Sequence, residues 1–193
     1  MMEWFINNWV EITGASLAFL YLILEVHQNW LMWIVSIFSS GFYVYIFFNA
    51  HLFANMGMNI YYVLMSFYGL YCWKFAKINE GSENNNFHFI TKKSAVRLSF
   101  ISLLIFSLIY FILQKFPESE VPVPDALIAS LSIVGTWMTA KKIVECWYIW
   151  IFVNFFAIGL YAYQHLYPTA ILYVFYGILS IVGLINWRKS VRN

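Results

Sequence analysis

The chain has 193 residues, a length that would ordinarily suit one compact domain, yet 62% are apolar, 22% aromatic and only 10% charged. A soluble fold carries roughly 25% charged residues to dress its surface, so this composition excludes a soluble globular domain and a disordered chain alike. A formal net charge of +2, with no basic patch away from segment ends, excludes nucleic acid as a partner and leaves an all-α integral membrane protein in contact with the lipid bilayer.

A helix needs about 20 apolar residues to cross the hydrocarbon. Seven stretches qualify, the shorter ones with snorkelling ends: Trp9–Leu24, Trp30–Phe48, Leu52–Trp73, Leu98–Gln114, Ala126–Ala140, Trp147–Gln164 and Thr169–Trp187. The apolar runs are continuous instead of alternating, which excludes a β-barrel. The first span lacks a basic leader and a small-residue cleavage site and carries Glu3 and Glu11, so it reads as a retained helix and not a signal peptide. The polar stretch Ile78–Ser94, with Asn84, Asn85 and Asn86, reads as a solvated loop. Pro117, Pro122 and Pro124 fall between the fourth and fifth spans and Pro168 opens the seventh, where proline loses no helical hydrogen bond. Asp125 is the expected N-cap of the fifth helix.

Seven spans place Lys74, Lys77, Lys92, Lys93, Arg97, Lys141, Lys142, Arg188, Lys189 and Arg192 on one face of the membrane and only Lys115 on the other. The positive-inside rule then sets the amino terminus outside and the carboxyl terminus in the cytoplasm. Cys72 and Cys146 fall towards the reducing side and form no CxxC pair, so no disulfide framework is expected.

The chain repeats itself at a shift of 114 positions. Tyr62, Ser66, Gly69 and Trp73 match Tyr176, Ser180, Gly183 and Trp187; His51-Leu52-Phe53 matches His165-Leu166-Tyr167; Ala15-Ser16-Leu17 matches Ala129-Ser130-Leu131. A further marker pairs Trp30-x-x-Trp33 with Trp147-x-x-Trp150. The expected plan is 3+1+3: a three-helix repeat over residues 1–77, a loop and connector helix over 78–124, and a second three-helix repeat over 125–193. Four helices separate corresponding members, so both triplets run the same way, a parallel repeat of the kind used by transporters.

Helical spacing then selects stripes. Asn59, Tyr62, Ser66, Gly69 and Trp73 share a face of the third helix, and Tyr173, Tyr176, Ser180, Gly183 and Trp187 share one of the seventh. Trp147, Trp150 and Asn154 form a stripe at i, i+3 and i+7 on the sixth. An amide in hydrocarbon must face protein or water, so Asn59 and Asn154 are expected to point inward, each roughly 10 Å from one end of its helix. Convergent amides, hydroxyls and indoles near the midplane suit a neutral or cationic aromatic solute. The structural alternatives are helix packing by the small residues Ser66, Gly69, Ser180 and Gly183 and membrane-interface anchoring by Trp73 and Trp187. His51 and His165 occupy equivalent outer loops, with His27 and His88 on the other side; no pair inside a span offers a metal or haem site, and no cofactor is expected. HExxH, GxSxG and phosphate-loop motifs are absent, so the chain does not read as an enzyme. Glu11 and Glu25 lie near helix ends, which leaves ion coupling without a midplane carboxylate and favours passive movement. Gly41, Gly135 and Gly159 are the candidate hinges.

Nearly the whole chain resembles the PnuC family of bacterial vitamin transporters. The most specific element is Trp147-Tyr148-Ile149-Trp150-Ile151-Phe152-Val153-Asn154, which fits the family's WxxWxxxN signature, with Lys141-Lys142-Ile143-Val144-Glu145 as its basic-then-Glu lead-in. The run Phe53-Ala54-Asn55-Met56-Gly57 through Tyr68-Gly69 is also similar. The resemblance implies a SWEET-like fold and facilitated uptake of nicotinamide riboside at a bacterial inner membrane. Thiamine is the alternative substrate, since relatives carry thiamine or riboflavin. It further implies trapping by a cytoplasmic kinase and a homo-oligomer. Carried over by motif, Trp147, Trp150 and Asn154 bind substrate with Asn59 and Tyr62 facing them; Trp33, Tyr176 and Thr136 complete the candidate set. Asn59 and Asn55 depart from the Gln and Asp of many nicotinamide riboside carriers, and a side chain shorter by one methylene moves its donor by ~1.5 Å, while Thr136-Trp137 is compatible with a thiamine-type relative.

Overall fold

In a computed structural model the described residues are predominantly helical. The structure describes residues 2–75, 87–115, 121–163, 165 and 167–192; Lys77, the run Asn84–Asn86, Pro117, Gln164 and Leu166, all used above, lie outside them. In chain order the helices are α1 (Met2–Val26), α2 (Leu31–Asn49), α3 (Phe53–Leu70), α4 (Lys92–Leu113), α5 (Pro122–Ala140), α6 (Cys146–Tyr163) and α7 (Tyr167–Arg192), with α3 running on through a π-helical turn, Tyr71–Phe75. Five of them, α2, α4, α5, α6 and the Thr169–Arg192 part of α7, are long and apolar enough to cross a membrane. The described apolar part of α1 is the shorter run Ser16–Val26, and α3 carries Asn55, Asn59 and Ser66 within its 18 residues.

Two compact units divide the chain at Asn85 and Asn86. In the first, α2 packs against both α1 and α3; in the second, α6 packs against α5 and α7, and α4 lies on α5. The connector helix therefore belongs with the second unit. Val96, Phe100, Leu103, Leu104, Leu108 and Phe111 of α4 stay exposed. A helix that turns such a face away from its own unit is stable only where that face meets lipid or another apolar surface.

Helix ends explain several boundaries. Val121 is the N-cap of α5, which starts at Pro122 with Asp125 already inside the first turn. Asp125 is thus not the N-cap: Pro122 supplies the φ of a first helical residue at no hydrogen-bond cost, so the helix starts four residues earlier than the apolar pattern suggests. At the start of α4, the Thr91 Oγ1 accepts from the Ser94 backbone N–H at 3.3 Å. Thr91→Ala is expected to lower stability by about 1 kcal/mol and Thr91→Ser to be nearly neutral; thermal unfolding of the two variants checks this. The described end of the polar stretch is not a free linker either, because His88 forms a parallel β-bridge with Ile143.

The interval of 114 recurs in the backbone. Among the described residues, four other than glycine have left-handed conformations: Gln28 (φ 58°), His51 (59°), Lys142 (59°) and His165 (60°). They form two pairs, Gln28 with Lys142 and His51 with His165, each separated by 114 positions. Each closes a turn between consecutive helices of its unit. A left-handed residue with a side chain is uncommon, so its recurrence at a fixed interval marks the same turn built twice.

Candidate functional site

Two of the candidate residues, Trp33 and Trp147, occupy matching seats, one in each unit. In the first unit Trp33 of α2 is wholly buried and lies flat on Gly69 of α3, where a Cβ would come within 2.4 Å of the indole. Its ring meets Trp73 edge to face at 6.1 Å. In the second unit Trp147 of α6 is wholly buried over Gly183 of α7 at the same 2.4 Å, and meets Trp187 edge to face at 5.4 Å. Trp33, Gly69 and Trp73 map onto Trp147, Gly183 and Trp187 under the shift of 114. That equivalence corrects the tryptophan marker: Trp33, and not Trp30, is the counterpart of Trp147. It also corrects the reading of Trp73 and Trp187 as membrane-interface anchors. They are 6% and 0% exposed, because each supplies the edge that its partner indole needs.

Both seats leave a polar atom unsatisfied. The indole N–H groups of Trp33 and Trp147 are buried with no hydrogen-bond acceptor among the described residues. A buried donor left unpaired costs about 1–3 kcal/mol, and it recurs at the same position of both units.

Beyond the indoles, hydroxyls and amides join neighbouring helices. In the first unit the Ser66 hydroxyl donates to the Tyr62 carbonyl at 2.6 Å and lies 2.7 Å from the Ser36 hydroxyl of α2. In the second, Ser180 donates to the Tyr176 carbonyl at 2.8 Å and accepts from the Asn154 Nδ2 at 2.9 Å. Asn154 is buried, with its Nδ2 committed to Ser180. Asn59 differs: its Nδ2 turns back to the Asn55 carbonyl at 2.9 Å, within its own helix.

The three signature residues of α6 part company. Trp147 and Asn154 reach α7, while Trp150 faces α5, its Nε1 donating to the Thr139 Oγ1 at 3.4 Å and its ring lying where a Cβ on Gly135 would come within 3.3 Å. Thr136 donates to the Ser132 carbonyl of its own helix at 2.8 Å, so the threonine that meets the indole lies one turn later. The second unit thus holds Trp147, Trp150 and Asn154 on α6 and Tyr176 on α7, of which Trp150 and Tyr176 keep exposed surface. Tyr176 stands edge-on to Tyr173 at 5.6 Å. Trp33, Asn59 and Tyr62 belong to the first unit, where Tyr62 stands edge-on to Tyr61 at 5.7 Å. Ser36 and Thr139 were not legible as partners. The repeat could have drawn attention to Thr139, since it lies 114 positions after Glu25, and both are buried.

The arrangement offers aromatic faces, a buried amide and hydroxyls within apolar helices, the ingredients for holding a flat heteroaromatic solute. Comparison with known proteins agrees in kind. The family model described as "Nicotinamide mononucleotide transporter" matches residues 8–189. The "Nicotinamide riboside transporter PnuC" of Escherichia coli is 20% identical over 96% of this chain and 87% of its own length, and that of Neisseria mucosa 24% over 96% and 74%. The "Riboflavin/roseoflavin transporter RibM" of Streptomyces davaonensis is 25% identical over 93% and 84%. Among solved structures, one titled "Crystal structure of the Vitamin B3 transporter PnuC" matches the fold with a TM-score of 0.75 and 23% identity, over 97% of this chain and 85% of that one.

Proposed function

The chain belongs to the nicotinamide mononucleotide transporter family, and from that premise we propose that it is a facilitative carrier of nicotinamide riboside in a bacterial inner membrane. The observation that carries this reading is the α6 stripe. It carries Trp150, partly exposed and facing α5, one turn before the buried Asn154, which donates to Ser180 of α7, on a helix apolar enough to span a membrane. An indole face attracts a cationic ring such as pyridinium, and the Asn154 Oδ1 accepts from a ligand amide or hydroxyl. The names of the Escherichia coli and Neisseria mucosa relatives point to the same solute. The riboflavin carrier among the relatives motivates a second reading, in which this pocket takes a different vitamin ring, thiamine included.

The proposed architecture is seven spans in the 3+1+3 parallel plan of SWEET-like carriers, residues 1–77 and 125–193 forming the repeats and 78–124 the loop and connector. The paired left-handed turns and paired indole seats support it. The ten-to-one bias of basic residues supports an external amino terminus. Passive entry followed by cytoplasmic phosphorylation, and assembly into homo-oligomers, complete the proposal.

Calorimetric titration of the purified protein with nicotinamide riboside, thiamine and riboflavin tests it. Saturable heat is expected with nicotinamide riboside, and uptake into proteoliposomes should need no ion gradient. No heat with any of the three would sink the carrier reading; heat with thiamine or riboflavin alone would reassign the substrate.

A further inference from the structure

The lead-in Lys141-Lys142-Ile143-Val144-Glu145 forms the turn between α5 and α6 and is largely buried: Lys142 is 7% exposed, Ile143 5% and Val144 0%. What covers it is the chain segment just before α4. The His88 N–H donates to the Lys142 carbonyl at 3.2 Å, and the Val144 N–H donates to the His88 carbonyl at 3.0 Å. Two residues on, the Ile90 N–H donates to the Glu145 carboxylate at 2.9 Å, a bond strengthened by the acceptor's charge. These three bonds deliver Phe87 onto the indole of Trp187, ring centroids 4.6 Å apart and planes at 61°. Trp187 in turn stands edge-on to Trp147 at 5.4 Å and 88°. Three rings therefore run in contact from this strap to the α6 signature.

The equivalent turn of the first unit is built differently. There the Asn29 Oδ1 accepts from the Leu31 N–H at 2.9 Å, so the turn closes with its own side chain. The ammonium of Lys74 lies 3.9 Å over the Trp30 ring. Among the described residues the strap lies on the turn of the second unit, which also carries the WxxWxxxN stripe.

We propose that residues 87–91 form a positioning strap for ligand binding. Phe87 fixes the angle of Trp187, Trp187 holds Trp147 over Gly183, and Glu145 anchors the strap to the turn. The inference rests on the reading that Trp147 belongs to the ligand site. Edge-to-face pairs depend on ring angle, so removing the outermost ring frees the two behind it.

The experiment is calorimetric titration of nicotinamide riboside into full-length protein carrying Phe87→Ala, Phe87→Tyr, Glu145→Ala, Phe87→Ala with Glu145→Ala, or Trp147→Ala. Phe87→Ala should weaken affinity about 2- to 10-fold, the range implied by losing one aromatic pair, and Phe87→Tyr should restore it. Glu145→Ala should weaken binding comparably, and the double variant should be no worse than the weaker single one, because both changes release the same strap. Wild-type affinity in Phe87→Ala, with Trp147→Ala weakened, overturns the strap while leaving the carrier reading intact; so does a double variant whose losses multiply. Wild-type affinity in Trp147→Ala removes that residue from the site and the strap's role with it. Absence of binding by the wild type removes the carrier reading itself. Should Phe87→Ala not yield folded protein, Glu145→Ala and Glu145→Gln decide, the glutamine retaining an acceptor and therefore most of the affinity.

Discussion

Gly183→Ala is expected to destabilise the protein by about 1–3 kcal/mol, although alanine is the better helix former. Two effects compete. Replacing glycine in a helix ordinarily gains up to about 1 kcal/mol of intrinsic propensity. Against that, a Cβ at position 183 would lie 2.4 Å from ring atoms of Trp147. The indole is wholly buried and held on its edge by Trp187, so it has nowhere to retreat, and overpacking of this kind costs about 1–3 kcal/mol or occasionally more. Packing wins. Gly69→Ala should behave alike under Trp33, whereas Gly41→Ala and Gly159→Ala, with nothing within 4 Å of the added carbon, should be neutral or stabilising. Thermal denaturation in one detergent compares the four variants. A Gly183→Ala protein that melts at or above the wild-type temperature would contradict the seat.

Asn154→Ala and Ser180→Ala remove opposite ends of one hydrogen bond, 2.9 Å long, yet they should fail in different ways. Ser180→Ala strands the buried Asn154 Nδ2 without its acceptor, which costs about 1–3 kcal/mol of stability. Asn154→Ala removes donor and acceptor together, and Ser180 keeps its bond to the Tyr176 carbonyl. Its stability should change less, while affinity of the folded protein should fall by more than ~1 kcal/mol, above fivefold, if Oδ1 receives a ligand donor. Melting temperature and calorimetric affinity, measured on both variants, separate the roles. Unchanged affinity in Asn154→Ala would reduce the residue to a tie between α6 and α7.

The α6 signature shows how far a stripe can be read from spacing. At about 100° per residue, Trp150 lies some 60° round the helix from Trp147, and Asn154 only some 20°. On paper all three share a face. In the structure that 60° is enough to send Trp150 to Thr139 and Gly135 of α5, while Trp147 and Asn154 reach Gly183 and Ser180 of α7. Thr136, a candidate by resemblance, bonds within its own helix, and it is Thr139, one turn later, that meets the Trp150 indole. Trp187 went astray for another reason: a tryptophan near the end of an apolar helix looks like an interface anchor until a second indole and Phe87 are found against it.

Composition and local periodicity alone determined that this chain is helical, apolar enough for a bilayer, and duplicated at an interval of 114 residues, because those properties reside in short stretches and survive any packing. The pairing of small residues with tryptophans was visible as a coincidence of positions. Only the tertiary structure decided that Gly69 and Gly183 are floors for indoles, that Asn154 bonds to Ser180 while Asn59 turns back on its own helix, and that a segment written like a solvated loop carries a strap. Those outcomes depend on how closely neighbouring helices approach and on which donor finds an acceptor across the gap, and neither distance is encoded in the spacing along one helix.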